Sequence, residues 1–344
     1  MSPEYIRWLD YLCSNGVHTK QANVLAEYAN NLAISNLPVI FEVEHLSKLL
    51  GIELGLLSRM SGAPSLFYRS FRIPKKRGGV RGIRSPYPKL AYVQSWLKEN
   101  ILECLTISDN AYAYTKGRSH IENARAHIGA RELLKLDIKD FFNRISKSQV
   151  RQVYIICGYA ENVASVLSNL CTYNGTLPQG ACTSPILSNI ILKELDETLQ
   201  GISGQYSLTY TRYADDITFS GNSISDDVCS ELIHHIEEFG LPVNEDKVRL
   251  LKPKDKKIVT GLIVTDRSLR VSKKMRRAYR QESYYLIRNR ERQFDGSIKP
   301  LKPLYLDEVI GRGSYILHIE PNNDYVRDSL KELLELKSQL FSNS

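Results

Sequence analysis

The chain has 344 residues, of which 42% are apolar and 24% charged, a composition typical of a folded protein with roughly two or three subdomains. It has no apolar run of roughly 18 residues and no signal-peptide pattern at its N-terminus, so we expect a cytoplasmic protein that does not span a membrane. Its cysteines lack metal-finger spacing, which predicts reduced thiols. The net charge of +8 favours a polyanionic partner.

The first half of the chain predicts helices, a hairpin and then further helices. Apolar residues recur at spacings of three and four over residues 4–60, which indicates helices. Residues 66–84 predict a strand, a Gly-Gly turn and a second strand, and residues 88–105 predict a helix. Alternating leucines then predict a strand that ends at Asp137, and a helical pattern follows it at once.

The second half contains a charged hairpin between predicted helices. Residues 185–200 predict one helix with proline at its start. The sequence around YADD predicts two short strands joined tightly at residues 214–216, so that Asp215 and Asp216 lie at a hairpin tip. A helix ending at Gly240, two short strands and a mostly helical region complete the pattern.

The adjacent carboxylates of Asp215 and Asp216 carry an electrostatic cost. At about 4 Å and an effective dielectric constant of about 20, two such charges repel by roughly 4 kcal/mol. Water and the local hydrogen bonds that aspartate makes in turns are one explanation. The other is a cation, because the strand ending at Asp137 could lie beside the hairpin in one antiparallel sheet. Three carboxylates suit Mg²⁺, and two such ions about 3.5–4 Å apart can activate a hydroxyl and stabilise a leaving phosphate oxygen.

The positive charge is concentrated in two segments. Residues 69–84 contain seven lysines and arginines and no acid, and residues 273–292 contain eight against two acids. A solvated helix face is the ordinary explanation of one such run. The interleaved Tyr279, Tyr284 and Tyr285 instead favour a surface that binds phosphates and stacks on bases.

Four ordered motifs resemble the palm motifs of reverse transcriptases: LDIKDFF (136–142), LPQGACTSPILSN (177–189), YADD (213–216) and GLPVNEDK (240–247). NARAH (123–127) and VTG (259–261) resemble the signatures of bacterial retron reverse transcriptases, and the resemblance covers about residues 37–320. It implies an α+β right-hand polymerase. A helical N-terminal extension (1–60), fingers with a palm built on an antiparallel sheet (61–265) and a basic helical thumb (266–344) would form its parts.

The resemblance also implies roles at the matching positions. Asp137 and Asp215 would bridge two Mg²⁺ ions, and Asp216 would support the ion near the primer end. Phe142 would exclude the ribonucleotide 2′-hydroxyl, although a core aromatic is the alternative. The implied nucleotide-binding residues are Lys76, Arg81, Gln179 and Lys247, with Gly180 permitting close backbone approach. Cys182 stands where relatives often have a small or prolyl residue.

The implied RNA contacts are less specific. Asn123 and His127 share a helix face and are either RNA ligands or internal hydrogen-bonding residues. Thr260 is either part of a tight strand end or an RNA contact. Arg276, Arg277 and Arg280 are expected to bind RNA on the thumb.

The family implies reverse transcription of a cognate structured non-coding RNA with deoxynucleotides. Synthesis would start from a guanosine 2′-hydroxyl and give branched RNA–DNA, in anti-phage defence with a separately encoded effector. Two alternatives stay open: a group II intron or diversity-generating reverse transcriptase, and a catalytically idle RNA-binding scaffold that restrains a toxin.

Overall fold

The computed structural model describes residues 2–74, 78–288 and 304–342. The strands are β1 (Tyr68–Pro74), β2 (Val80–Pro86), β3 (Glu132–Asp137), β4 (Thr209–Tyr213), β5 (Asp216–Gly221), β6 (Arg249–Leu251), β7 (Ile258–Val259), β8 (Leu262–Val264) and β9 (Leu269–Arg270). The helices are α1 (Pro3–Ser14), α2 (Thr19–Ile34), α3 (Val43–Leu50), α4 (Leu54–Gly62), α5 (Pro88–Asn100), α6 (His120–Arg125), α7 (Phe141–Arg144), α8 (Lys147–Ile156), α9 (Glu161–Cys171), α10 (Thr183–Ile191), α11 (Lys193–Gln205), α12 (Asp226–Glu238), α13 (Lys273–Arg288), α14 (Tyr305–Ile319) and α15 (Asp324–Ser342). The mixed content confirms the α+β prediction.

A four-stranded sheet with the order β4-β5-β3-β6 lies at the centre of the fold. Its neighbouring strands are antiparallel, and β3 pairs with β5 so that Asp137 is opposite Asp216. Leu134, Ile217 and Phe219 are fully buried and anchor these strands in the main core. The predicted antiparallel neighbourhood of Asp137 and the YADD hairpin is therefore confirmed.

Two predicted helices are each interrupted in the structure. The segment expected as one helix over residues 185–200 forms α10 and α11, which meet at the fully buried Leu192. The helical pattern after Asp137 likewise divides into α7 and α8, because Ser146 and Gln149 form a capping box that starts a new helix. The β1–β2 hairpin is as predicted, with positive φ at Gly78 and Gly79.

Buried apolar residues form one large core and two smaller clusters. The large core holds the central sheet, residues of α2 to α5 and α8 to α12. A second cluster holds α6, β7 to β9 and the C-terminal helices α13 to α15, and a third holds α1 with the start of α2. Helix α6 therefore packs with the C-terminal helices, and it also lies against β4 of the central sheet. None of the described helices is long and apolar enough to cross a bilayer.

Candidate active site

The carboxylates are brought together by the ends of two neighbouring strands. Ala214 adopts a left-handed conformation, with φ of 58°, which turns the chain sharply between β4 and β5. The carbonyl oxygen of the next residue, Asp215, accepts a hydrogen bond from the Ile138 amide at 3.0 Å. Since Ile138 directly follows Asp137, this bond fixes the hairpin tip beside the end of β3.

The electrostatics of this cluster favour a bound cation. Burial raises the pKa of Asp215 to about 6, and the negative charges of Asp216 and Asp137 act in the same direction. Burial also raises the pKa of Asp216, with Asp137 adding to it. Lys247 Nζ lies 2.8 and 2.7 Å from the two carboxylate oxygens of Asp137, so one positive charge already stands at the cluster.

The donors present are those that Mg²⁺ prefers, because carboxylate oxygens are hard ligands. Within the described residues, no group of three or more His, Cys, Asp or Glu side chains is arranged to hold a metal by itself. Mg²⁺ is commonly bound by one or two carboxylates and completed by water and substrate phosphates. The aspartates therefore fit a site that a nucleotide completes.

A cleft of about 660 Å³ opens in front of the carboxylates. The β1–β2 hairpin, the segment after β3 and the loop before α10 form its walls. Its lining includes the predicted Asp137, Asp215, Arg81, Phe142, Gln179 and Lys247, but Asp216 is not part of it. Lys76 lies outside the described residues.

Phe141 and Phe142 lie in different environments, although they are neighbours in the chain. Phe141 is buried in the main core, with 5% of its surface exposed. Phe142 is half-buried, packs against the core with one side and lines the cleft with the other. Its ring is therefore positioned to face a bound molecule.

The loop around Gln179 holds the β1–β2 hairpin against the sheet region. The Arg84 amide donates a hydrogen bond to the Gln179 carbonyl at 2.8 Å. Gly180 has φ of 127°, and a Cβ there would stand 2.8 Å from the Arg84 carbonyl oxygen. Only glycine accommodates both the conformation and the close approach. Cys182 has an ordinary helical backbone conformation, and its Sγ lies 3.8 Å from the Ser95 Oγ.

A buried polar network lies behind the hairpin, and sequence reasoning missed it. Arg212 and Asp196 are fully buried and joined by two hydrogen bonds of 2.7 and 2.6 Å. Tyr210 donates to the same carboxylate at 2.6 Å. Arg212 also donates to Asn189 Oδ1 at 3.1 Å and to the Ala214 carbonyl at 3.4 Å. The network therefore supports the residue that precedes Asp215.

Comparisons with known proteins agree with this site. Residues 73–276 match the family described as reverse transcriptase (RNA-dependent DNA polymerase). The chain is 33% identical over 268 residues to the retron Ec86 reverse transcriptase of Escherichia coli, covering 76% of this chain and 84% of that protein. This chain belongs to the retron reverse transcriptases.

Other relatives extend the comparison. The retron Mx65 reverse transcriptase of Myxococcus xanthus is 34% identical over 257 residues, which is 68% of this chain and 60% of that protein. Among solved structures, apo telomerase from Candida tropicalis aligns with a TM-score of 0.46 and 12% identity, over 79% of this chain and 58% of that chain. The resemblance to retron reverse transcriptases inferred from the motifs is confirmed by the curated relatives.

Two residues of the NARAH segment, Asn123 and His127, have buried side chains. His127 is 1% exposed, and its two ring nitrogens lie 2.6 Å from the Ser220 hydroxyl and 2.8 Å from the Thr211 hydroxyl. Asn123 is also 1% exposed, and its Oδ1 has no hydrogen-bond partner in the described part of the chain. Neither side chain therefore forms part of the protein surface in this structure. The contacts of His127 support the internal alternative, because they join α6 to β4 and β5.

We expect His127 to make the protein less stable as the pH falls from about 6.5 to about 4. Burial lowers the pKa of His127 to about 4, so the unfolded chain binds the proton first and stability is lost towards acid. The contribution is roughly 3 kcal/mol, and His127→Gln should remove it. Urea unfolding of this variant across that pH range tests this, with the exposed His234→Gln as the control. Equal pH dependence in His127→Gln and the unsubstituted protein would contradict it.

The other predicted RNA contacts divide into paired and exposed residues. Thr260 has φ of 45° and donates a hydrogen bond to the His120 carbonyl at 2.7 Å, which supports the tight-turn alternative. Arg276 is half-buried and paired with Glu320 at 3.0 Å, so it connects α13 to the end of α14. Arg277 and Arg280 are exposed, and Arg280 lies over the Tyr325 ring at 5.0 Å. The exposed pair is therefore the better placed for phosphate.

Proposed function

We propose that the chain is an RNA-directed DNA polymerase that copies a cognate structured non-coding RNA. The observation that carries this is the meeting of Asp137, Asp215 and Asp216 at adjoining strand ends, where Asp137 and Asp215 border a cleft that also holds Phe142 and Lys247. In a right-hand arrangement, the β1–β2 hairpin would belong to the fingers and the four-stranded sheet to the palm. Helices α13 to α15 would belong to the thumb, and residues 1–60 would extend the fingers.

The residues of the cleft have distinct roles in this proposal. The aspartates would hold Mg²⁺, which would supply activation of the attacking hydroxyl and charge stabilisation of the leaving oxygen. Phe142 presents its ring to the sugar and excludes a 2′-hydroxyl by its bulk. Gln179 orients the nucleotide from the loop that Gly180 allows to approach β2. Lys247, now paired with Asp137, is within reach of the cleft to neutralise the departing pyrophosphate.

Basic residues outside the aspartate cluster are proposed to bind the phosphates of the nucleotide and of the nucleic acid. Arg81 is exposed at the cleft and can bind two phosphate oxygens through its planar guanidinium, and Lys76 is proposed to act beside it. On α13, Arg277, Arg280, Tyr284 and Tyr285 are exposed together, a combination suited to phosphate binding and base stacking. This helix is proposed to hold the RNA and the growing duplex.

The retron relationship supports a more specific proposal. Synthesis starts from the 2′-hydroxyl of a guanosine in the cognate RNA, so that the product is branched RNA–DNA. The protein acts in the cytoplasm in anti-phage defence, with a separately encoded effector.

The test is the nucleic acid that co-purifies when the chain is expressed with its native upstream locus. A denaturing gel is run before and after treatment with RNase, DNase and a debranching enzyme. We expect a species that DNase degrades, RNase shortens and debranching shifts. RNA without attached DNA, even after deoxynucleotides and Mg²⁺ are added, would refute the proposed priming and synthesis.

A further inference from the structure

Tyr114 has an unusual backbone for a large side chain and stands at the cleft. It is an aromatic residue with φ of 60°, a conformation uncommon outside glycine, asparagine and aspartate. Its side chain is 53% exposed and lines the cleft together with Asp137, Asp215 and Phe142. The ring centroid lies 6.5 Å from that of Phe142, with the planes tilted by 44°.

The conformation of Tyr114 is imposed by contacts on the residues before it. The loop before Tyr114 is bonded to the backbone of Arg212. The Arg212 amide donates to the Asn110 carbonyl at 2.8 Å, and the Tyr112 amide donates to the Arg212 carbonyl at 2.9 Å. Asn189, which is 1% exposed, donates to the Ala113 carbonyl at 2.8 Å. The backbone immediately before Tyr114 is therefore held by buried groups. Strained residues persist where surrounding contacts fix them, and they concentrate at functional sites.

The same buried side chains hold both residues at this edge of the cleft. The side-chain amide of Asn189 donates to the Ala113 carbonyl, which precedes Tyr114. Asn189 Oδ1 accepts a hydrogen bond from Arg212, and Arg212 also donates to the Ala214 carbonyl, which precedes Asp215. The backbones that lead into Tyr114 and Asp215 are thus held by one buried group of side chains. Burial and the charge of Asp215 both raise the pKa of Tyr114, so its hydroxyl stays neutral and can donate.

We propose that Tyr114 contacts the substrate and forms, with Phe142, the aromatic wall that faces the sugar of the incoming deoxynucleotide. This inference rests on the proposed polymerase function and adds a residue that the palm motifs do not contain. Phe142 projects from the segment after β3, whereas Tyr114 projects from the loop before α6. Two rings on separate segments restrict the sugar more tightly than one, so both contribute to the choice of deoxynucleotide over ribonucleotide.

The test compares Tyr114→Asn with Tyr114→Phe in the purified protein with its co-purified RNA. Asparagine tolerates positive φ, so the first variant removes the ring without adding backbone strain. Incorporation of dGTP and of GTP is measured with Mg²⁺, giving kcat and KM for each. We expect Tyr114→Asn to raise the KM for dGTP by about 3- to 10-fold. The preference for dGTP over GTP, measured as the ratio of the two kcat/KM values, should fall by about the same factor. Tyr114→Phe keeps the ring and should retain the preference.

A matched control is Tyr206→Asn, which removes an exposed tyrosine that bonds to Glu231 outside the cleft. It should leave both constants unchanged. If Tyr114→Asn keeps the dGTP preference, whatever its KM, the inference is overturned while the polymerase proposal stands. If the unsubstituted protein incorporates none of the four deoxynucleotides, the proposed function itself has failed.

Discussion

Replacing Asp215 and Asp216 together by alanine is expected to abolish DNA synthesis while leaving the protein folded and bound to RNA. The two side chains are two of the three aspartates proposed to bind Mg²⁺, so that only Asp137 of that set would remain. The expected loss is on the order of 10³-fold or more, since charge stabilisation in the transition state is removed. Stability should not fall, because burial raises the pKa of both carboxyls, the negative charges of Asp216 and Asp137 raise that of Asp215 further, and Asp137 raises that of Asp216.

The measurement is DNA synthesis on the co-purified RNA without an added primer. The RNA retained by the protein and the melting temperature are measured beside it. Asp226→Ala with Asp227→Ala is the matched control, because it also removes two adjacent aspartates but takes them from the exposed first turn of α12. Residual synthesis in the Asp215 and Asp216 variant would refute the metal site. Phage defence that survives complete loss of synthesis would instead favour the RNA-binding scaffold.

The central strands and the carboxylate cluster could be predicted because their signals are local. Leu134 and Leu136 alternate along β3, and the like charges of Asp215 and Asp216 stand out in a strand pattern. The Gly-Gly turn likewise identifies the β1–β2 hairpin. In each case the residues that determine the structure are neighbours in the chain.

What could not be predicted depends on contacts between distant residues. A charged residue in a strand normally indicates a solvent-facing position, yet Arg212 is fully buried because Asp196 and Asn189 meet it from α11 and α10. The break at Leu192 separates those two helices, and the helical pattern alone does not reveal it. The choice between RNA contact and internal bonding for His127 likewise depended on two hydroxyls more than eighty residues away in sequence.

Asp196→Ala is expected to destabilise the protein by about 3–5 kcal/mol, because it leaves the buried guanidinium of Arg212 without its counter-charge. Tyr210→Phe removes one hydrogen bond to the same carboxylate and should cost only about 1 kcal/mol. Urea unfolding of both variants measures the difference. If Asp196→Ala lowers the free energy of unfolding by less than Tyr210→Phe does, the Asp196–Arg212 pair contributes little to folding.

Stability and positioning can be separated by replacing the whole pair. Asp196→Leu combined with Arg212→Met removes both buried charges and keeps apolar volume, so part of the lost stability should return. The return should be incomplete, because Tyr210, Asn189 and the Ala214 carbonyl lose their hydrogen-bond partner. DNA synthesis should remain reduced by about tenfold, because the Ala214 carbonyl and Asn189 lose the donors that hold the hairpin tip and the Tyr114 loop. Recovery of both stability and synthesis would mean that the network supports only the fold. A stable but slow double variant would identify Arg212 as a positioning residue for Asp215.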